Sequence, residues 1–139
     1  MRKPTPTRID WRQMLRLARE ASRNAYAPYS RLHVGAALLA ESSRIYAGAN
    51  VENASFGLTI CAERAALFAA VAAGESKLRA LLICSDAPEP LLPCGACRQA
   101  LAEFAPDLVI RSVGASGKTK ARRLRPLLPE GFTLPQRTE

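Results

Sequence analysis

Long apolar runs are missing from this 139-residue chain, and none approaches the roughly 18–20 residues that cross a bilayer. No spanning segment and no membrane partner is therefore expected. An apolar stretch is also missing behind Met1-Arg2-Lys3, where Pro4-Thr5-Pro6-Thr7 follows instead. No secretory signal is read, and a cytoplasmic location is expected. Cysteine is scarce: four unevenly spaced residues are too few for a disulfide framework, and in that compartment they are expected to be reduced. Internal repeats, interdomain linkers and low-complexity segments are absent as well. What remains, 48% hydrophobic and 23% charged residues, is ordinary globular composition. Residues 1–139 are read as a single domain, long enough to bury roughly two-thirds of its unfolded surface without covalent staples.

Acidic residues are outnumbered, 12 to 20, and the net charge of +8 resembles a nucleic-acid signature. Its distribution argues otherwise. Residues 1–25 and 111–139 each carry a balance of +5, whereas residues 26–110 carry −2. The densest patch, residues 118–125, holds no aromatic ring on which a base could stack. The basic N-terminal and C-terminal ends are read as solvated faces open to contact between subunits, with a weak polyanion contact as the alternative. Nucleic acid is not the expected partner.

Asp10 ahead of Gln13 predicts a helix N-cap, and Met14, Leu15, Leu17, Ala18, Ala21 and Ala25 recur at helical spacing over residues 11–25. Ala27-Pro28-Tyr29-Ser30 breaks the pattern. Residues 34–39 read as a buried strand, Ser42-Ser43 as a turn, and residues 45–51 as the returning strand of a hairpin. A second helix spans residues 61–73 and closes at Gly74; a strand covers 78–84. A third helix spans residues 94–104 and ends before Pro106; another strand covers 108–113. The last 25 residues are poorly periodic. The alternation predicts an α/β fold, a three-layer α/β/α sandwich around a mixed sheet.

Pro93-Cys94-Gly95-Ala96-Cys97 places two cysteines at i and i+3 at a helix start, on one face, where they can chelate a single zinc ion. The positive end of the helix dipole favours thiolates there. Alone, the pair could be a redox couple or half of a structural zinc site. Cys61 supplies a third soft ligand, also at a helix start, with Glu63 two residues on. Three protein ligands leave a fourth tetrahedral position open for water, which separates catalytic from structural zinc. Cys84 could close the site, but its apolar strand reads it as core. Glu63 could be an acid that merely complements the dipole; beside an open zinc position it is the missing general base. Residues i and i+2 of a helix diverge by about 160°, so Cys61 and Glu63 can share a site only if it lies off the helix end. Three thiolates on one zinc leave a net charge of −1, which a cation hydrogen-bonded to the sulfurs would offset. Arg64 and Arg98 are the candidates. The single histidine, His33, lies far from this cluster in sequence and is read as a surface or strand residue.

Cys61-x-Glu63 followed by Pro93-Cys94-x-x-Cys97 is the three-cysteine form of the zinc nucleobase deaminase signature. The chain resembles the small homotetrameric cytidine deaminases. Five ordered matches carry the resemblance between about Tyr29 and Phe132: Tyr29-Ser30 with Val34-Gly35-Ala36-Ala37, residues 50–55, residues 61–64, residues 93–99, and Leu127-Leu128-Pro129 ahead of Phe132. The resemblance implies that Cys61, Cys94 and Cys97 bind one Zn²⁺ per chain and that Glu63 shuttles protons. It implies that Asn50 and Glu52 hold the ribose hydroxyls, that the backbone near Ala62 bonds the pyrimidine carbonyl, and that Arg64 spreads the sulfur charge. Phe132 would come from a neighbouring subunit of a homotetramer to cover the base. An amide and a carboxylate at i and i+2 of a strand do face the same way, although without the resemblance residues 50–53 would read as a polar turn. Leu32 stands where the family usually has Phe, and Phe56 where tyrosine is common.

The activity so implied is hydrolytic deamination of cytidine and 2′-deoxycytidine to uridine and 2′-deoxyuridine with release of ammonia, in pyrimidine salvage. One alternative is an enzyme of the same fold acting on another amino-substituted substrate, such as an aminonucleoside antibiotic or a base within RNA or DNA. The other is a non-catalytic, zinc-stabilised module whose basic ends bind polyanions. Asn50 and Glu52 favour a free nucleoside over the first. The second leaves Glu63 and the open coordination position without a role.

Overall fold

In the computed structural model, which describes residues 7–137, five strands form one mixed sheet in the order β2-β1-β3-β4-β5. Asp10 caps α1 (Trp11–Ser22), its carboxylate accepting from the Gln13 N–H at 3.1 Å. The helix stops three residues short of the expected end because Tyr26 is drawn away. The Tyr26 N–H donates to the Asn50 carbonyl at 3.0 Å, and Tyr26 bridges Val51.

β1 (Val34–Ala40) turns back into β2 (Ile45–Ala49), the expected hairpin, with Ser43 at the turn in the left-handed region (φ 74°). β3 (Leu78–Ser85) pairs antiparallel with β1 and parallel with β4 (Val109–Val113). The two helices on the site side are α2 (Ala62–Ala72) and α3 (Gly95–Ala102). Alternation along the strands splits the core in two. Ala36, Leu38, Leu81, Ile83 and Ile110 pack with Leu67 of α2 and Leu101 of α3. Ala37, Leu39, Ala80, Leu82 and Cys84 pack with Met14 and Ala18 of α1. Strands apolar on both faces are what a sheet covered on both faces requires, and the three-layer α/β/α sandwich follows. Each fully buried leucine contributes roughly 1.5–3 kcal/mol to holding the layers together.

Two glycines set how closely the layers approach. A Cβ on Gly35 would lie 1.9 Å from the Ala18 carbonyl oxygen of α1, and one on Gly48 would lie 2.5 Å from the Ala66 nitrogen of α2. The bare backbone at Gly48 lets α2 settle against β2, and α2 carries the first cysteine of the cluster at its N-cap.

The poorly periodic C-terminal stretch contains a strand that the sequence does not reveal. β5 (Thr119–Arg123) pairs antiparallel with β4, and all five residues are exposed. With neither face covered it has no apolar alternation to read. Its Lys120, Arg122 and Arg123 suit an open sheet edge, where charge deters pairing with another chain. Among the described residues, no helix is long and apolar enough to cross a membrane.

Candidate active site

Both site helices begin one residue later than the sequence suggests, because Cys61 and Cys94 are N-cap residues with extended backbone (ψ 155° and 168°). Neither side chain makes a capping bond to a backbone N–H of its own helix. A cysteine at this position forgoes the capping bond that Ser or Asp would make, a loss of about 1 kcal/mol. It gains a thiol projected off the helix end, against unpaired N–H groups and the positive pole of the dipole. The requirement that the site lie beyond the end of α2 is therefore met. Buried Pro93 leads into α3, and buried Cys97 sits in its first turn.

The sulfurs of Cys61, Cys94 and Cys97 lie within 4.8 Å of one another, and those of Cys61 and Cys94 are 3.7 Å apart. Two thiolates on one tetrahedral zinc at ~2.3 Å each are about 3.8 Å apart. The Cys61–Cys94 spacing matches that value, the third sulfur lies close enough to share the ion, and none of the three is in a disulfide. Cys84 lies on the α1 face of the sheet, 5% exposed, where burial raises its thiol; it is core, as expected.

Arg64 donates from Nη2 to the Cys61 sulfur at 3.6 Å and to the Thr59 carbonyl at 3.4 Å. Its Nε is buried with no partner, an orphaned donor beside three thiols. Arg98, the other candidate, makes no bond to the sulfurs: its Nη1 donates to the Leu127 carbonyl at 3.3 Å, and its Nε is likewise buried with no partner. The Cys97 thiol, by hydrogen-bonding the Cys61 sulfur, and Arg64 together hold Cys61 down at about 5 against the opposing effect of burial. Cys97 itself is pushed far above the ordinary thiol range by that same bond to Cys61 and by burial. The two behave as one pair that releases its first proton readily and its second with great difficulty.

Glu63 is 6% exposed, at the second residue of α2, against this cluster. Burial, reinforced by the Cys61 charge, pushes its carboxyl up to about 7. Such a group can exchange protons near neutral pH in either direction. Ala62, fully buried, opens α2, where backbone N–H groups lack intrahelical partners.

Asn50 and Glu52 lie just past β2, which ends two residues earlier than expected. Val51 between them bridges Tyr26 and Ile60. The Asn50 amide is locked in place: Oδ1 accepts from the Val34 N–H at 2.9 Å, and Nδ2 donates to the Leu32 carbonyl at 2.7 Å. Glu52 Oε1 accepts from the N–H groups of Tyr29 and Ser30 at 2.9 and 3.1 Å. Bonds from Ser30, hydroxyl and N–H, and from Tyr29 keep the Glu52 carboxyl below its usual range. Tyr29, Ser30, Glu52, Phe56 and Thr59 line a cavity of 430 Å³, with Phe56 edge-on to Tyr29 at 5.7 Å. No sequence signal links Glu52 to donors 22 and 23 positions away. Thr59 joins this cavity to the thiol cluster through Arg64.

Phe132 stands apart from the cluster. Its ring is 68% exposed, while its backbone is held by Gln99 of α3. His33 is a surface residue, as expected, though it has an unforeseen partner: its Nδ1 lies 2.7 Å from the Asp86 carboxylate.

A helix-covered mixed sheet that gathers three thiols at two helix N-termini, with a buried carboxyl beside them, defines a zinc-dependent enzyme of the deaminase type. The family described as "Cytidine and deoxycytidylate deaminase zinc-binding region" matches residues 9–113. A cytidine deaminase of Halalkalibacterium halodurans is 43% identical over 126 residues, covering 90% of this chain and 96% of that protein. The crystal structure of cytidine deaminase from Burkholderia pseudomallei superposes with a TM-score of 0.85 at 39% identity, covering 89% of this chain and all of that one. That from Mycobacterium tuberculosis gives 0.79 at 41% identity, over 91% of this chain and all of that one. The chain belongs to the cytidine and deoxycytidylate deaminase family and carries its zinc-binding region.

Proposed function

We propose that the chain hydrolyses cytidine and 2′-deoxycytidine to uridine and 2′-deoxyuridine with release of ammonia. The observation that carries this reading is the buried carboxyl of Glu63, poised near neutrality against three converging thiols. Cys61, Cys94 and Cys97 would hold one zinc ion. Zinc, when bound, acidifies water and so supplies a nucleophile at neutral pH. Glu63 accepts the proton from the attacking water and delivers it to N3 of the pyrimidine as the C4–O bond forms. Glu63 then takes the proton of the C4 hydroxyl and passes it to the departing amine as the C4–N bond breaks and the C4 carbonyl forms. The Ala62 N–H bonds the pyrimidine carbonyl, and Arg64 spreads the sulfur charge. Asn50 and Glu52 hold the ribose; the oriented Asn50 amide and the Glu52 carboxylate, held below its usual range, suit two hydroxyls.

The chain would act as a single domain in the cytoplasm, in pyrimidine salvage, as a homotetramer whose neighbouring subunit offers Phe132 over the base. Exposed Phe68 and Val71 on α2, 50% and 39% accessible, support a subunit interface. Light scattering should give a tetramer, and full activity in a monomer would remove that part of the reading.

The direct test incubates zinc-loaded protein with cytidine and follows the loss of ultraviolet absorbance, with Glu63→Gln alongside. Conversion by the wild type alone is expected. No conversion at one zinc per chain would move the substrate to another amino-substituted compound, and no zinc would undo the ligand assignment.

A further inference from the structure

Gln99 lies on α3 two residues past Cys97, and its side-chain amide pairs with both backbone groups of one distant residue. Nε2 donates to the Phe132 carbonyl at 2.8 Å, and Oε1 accepts from the Phe132 N–H at 3.1 Å. The pairing is reciprocal, as in a sheet ladder, with a side chain taking the place of a strand. Its neighbour Arg98 holds the Leu127 carbonyl at 3.3 Å, so consecutive residues of α3 fasten the tail at two points. Beyond these hydrogen bonds the tail buries little against its own chain. Residues 131–137 are all exposed, and the Phe132 ring is 68% accessible. Ordering an exposed residue costs conformational entropy with no burial in return. The return must come from something that meets the outward ring.

We propose that Gln99 is the positioning residue for Phe132: its two-point amide pairing fixes where the ring is offered to the nucleoside site of a neighbouring copy. The inference rests on the reading of Phe132 as the residue that covers the base. The clamp also ties that cover to the helix bearing Cys94 and Cys97, so α3 sets both the thiols and the tail. Gln99 touches neither substrate nor metal, and its removal acts on KM through the fraction of time the ring is in place.

The test is a double-mutant cycle on zinc-loaded protein with Gln99→Leu, Phe132→Ala and the double variant. Gln99→Leu should raise the KM for cytidine about 5- to 25-fold, roughly a factor of five for each hydrogen bond lost, with kcat, zinc content and Tm held. It should add nothing in the Phe132→Ala background. Gln99→Glu keeps the acceptor for the Phe132 N–H but sets a carboxylate oxygen against the Phe132 carbonyl; it should also raise KM, and it serves if Gln99→Leu does not fold. A wild-type KM in both Gln99 variants overturns the proposal, as does an equal KM increase with and without the Phe132 ring. An unchanged KM in Phe132→Ala alone would instead sink the cover reading on which the proposal stands.

Discussion

Replacing Glu63 by glutamine should make the metal-free protein more stable while abolishing turnover, and the gain should depend on pH in a calculable way. The carboxyl is 6% exposed and titrates at about 7, against 4.5 as the ordinary reference value. Between those values the folded state holds a proton that the unfolded state has released. Folding therefore loses stability as pH rises through 4.5 to 7, and the full penalty persists above that window. At ~1.36 kcal/mol per pKa unit, the penalty grows from below about 1 kcal/mol at pH 5 to about 3 kcal/mol at pH 8. Glutamine has nearly the same shape and does not titrate, so the variant escapes it.

Urea unfolding of metal-stripped wild type and Glu63→Gln, at pH 5 and pH 8 and one fixed protein concentration, measures the difference. The variant's advantage should widen by about 2 kcal/mol between the two pH values. Parallel stability profiles would refute the burial argument. In the zinc-loaded enzyme the same substitution should keep the metal and reduce kcat by at least the 10²–10⁴ typical of a lost acid–base group. Near-normal turnover would remove Glu63 as the proton shuttle. Both halves express one design: a site that destabilises its own fold by burying a carboxyl has that carboxyl for chemistry.

Cys94→Ala should drop bound zinc well below one per chain by elemental analysis, and full occupancy would mean the ligand set is wrong. Arg64→Gln removes a charged donor 3.6 Å from the Cys61 sulfur. Cys61 in metal-free protein should then titrate about one unit or more above its present value near 5, read from the pH dependence of alkylation; an unmoved profile would show that Arg64 does not hold the thiolate. Gly48→Ala forces a methyl group to within 2.5 Å of the Ala66 nitrogen, so α2 must shift. A loss of about 1–3 kcal/mol is expected by urea unfolding, together with reduced kcat; wild-type stability would show that the layers are looser than described.

The chemistry of the site was legible because its residues are rare types at fixed local spacing. Cys94 and Cys97 are three positions apart on one turn, and Cys61 with Glu63 repeats the device at a second helix start. The strands at 34–40 and 78–85 were legible because a sheet buried on both faces demands an unbroken apolar run. What escaped is held by pairings that leave no periodic trace. β5 is exposed on every residue and owes its existence to β4. α1 ends early because Tyr26 pairs with a chain segment some 25 residues away. Ser30 on Glu52 and Gln99 on Phe132 are side-chain-to-backbone contacts at separations of 22 and 33, which no local pattern encodes. Arg98 was a reasonable second cation for the sulfurs by proximity to Cys97, yet its side chain is taken by the Leu127 carbonyl.

The placement of Cys61 and Cys94 explains why two helices, rather than one, are needed. A cysteine within a helix projects sideways and shares its face with neighbours at i+3 and i+4. A cysteine at the N-cap projects along the axis, where the dipole favours its thiolate. Two such caps, with sulfurs 3.7 Å apart, let α2 and α3 aim their positive ends at one point. Cys97 completes the trio from the first turn of α3, and its thiol is pushed up by its bond to Cys61 and by burial. The three cysteines would hold a divalent cation, whose charge would offset the mutual repulsion of their sulfurs. Glu63, buried beside the cluster, has its carboxyl pushed up to about 7 by burial and the Cys61 charge, where it can exchange protons near neutral pH. The capping bonds forgone at both helices, about 1 kcal/mol each, are the structural mark of a site that folding alone would not have built.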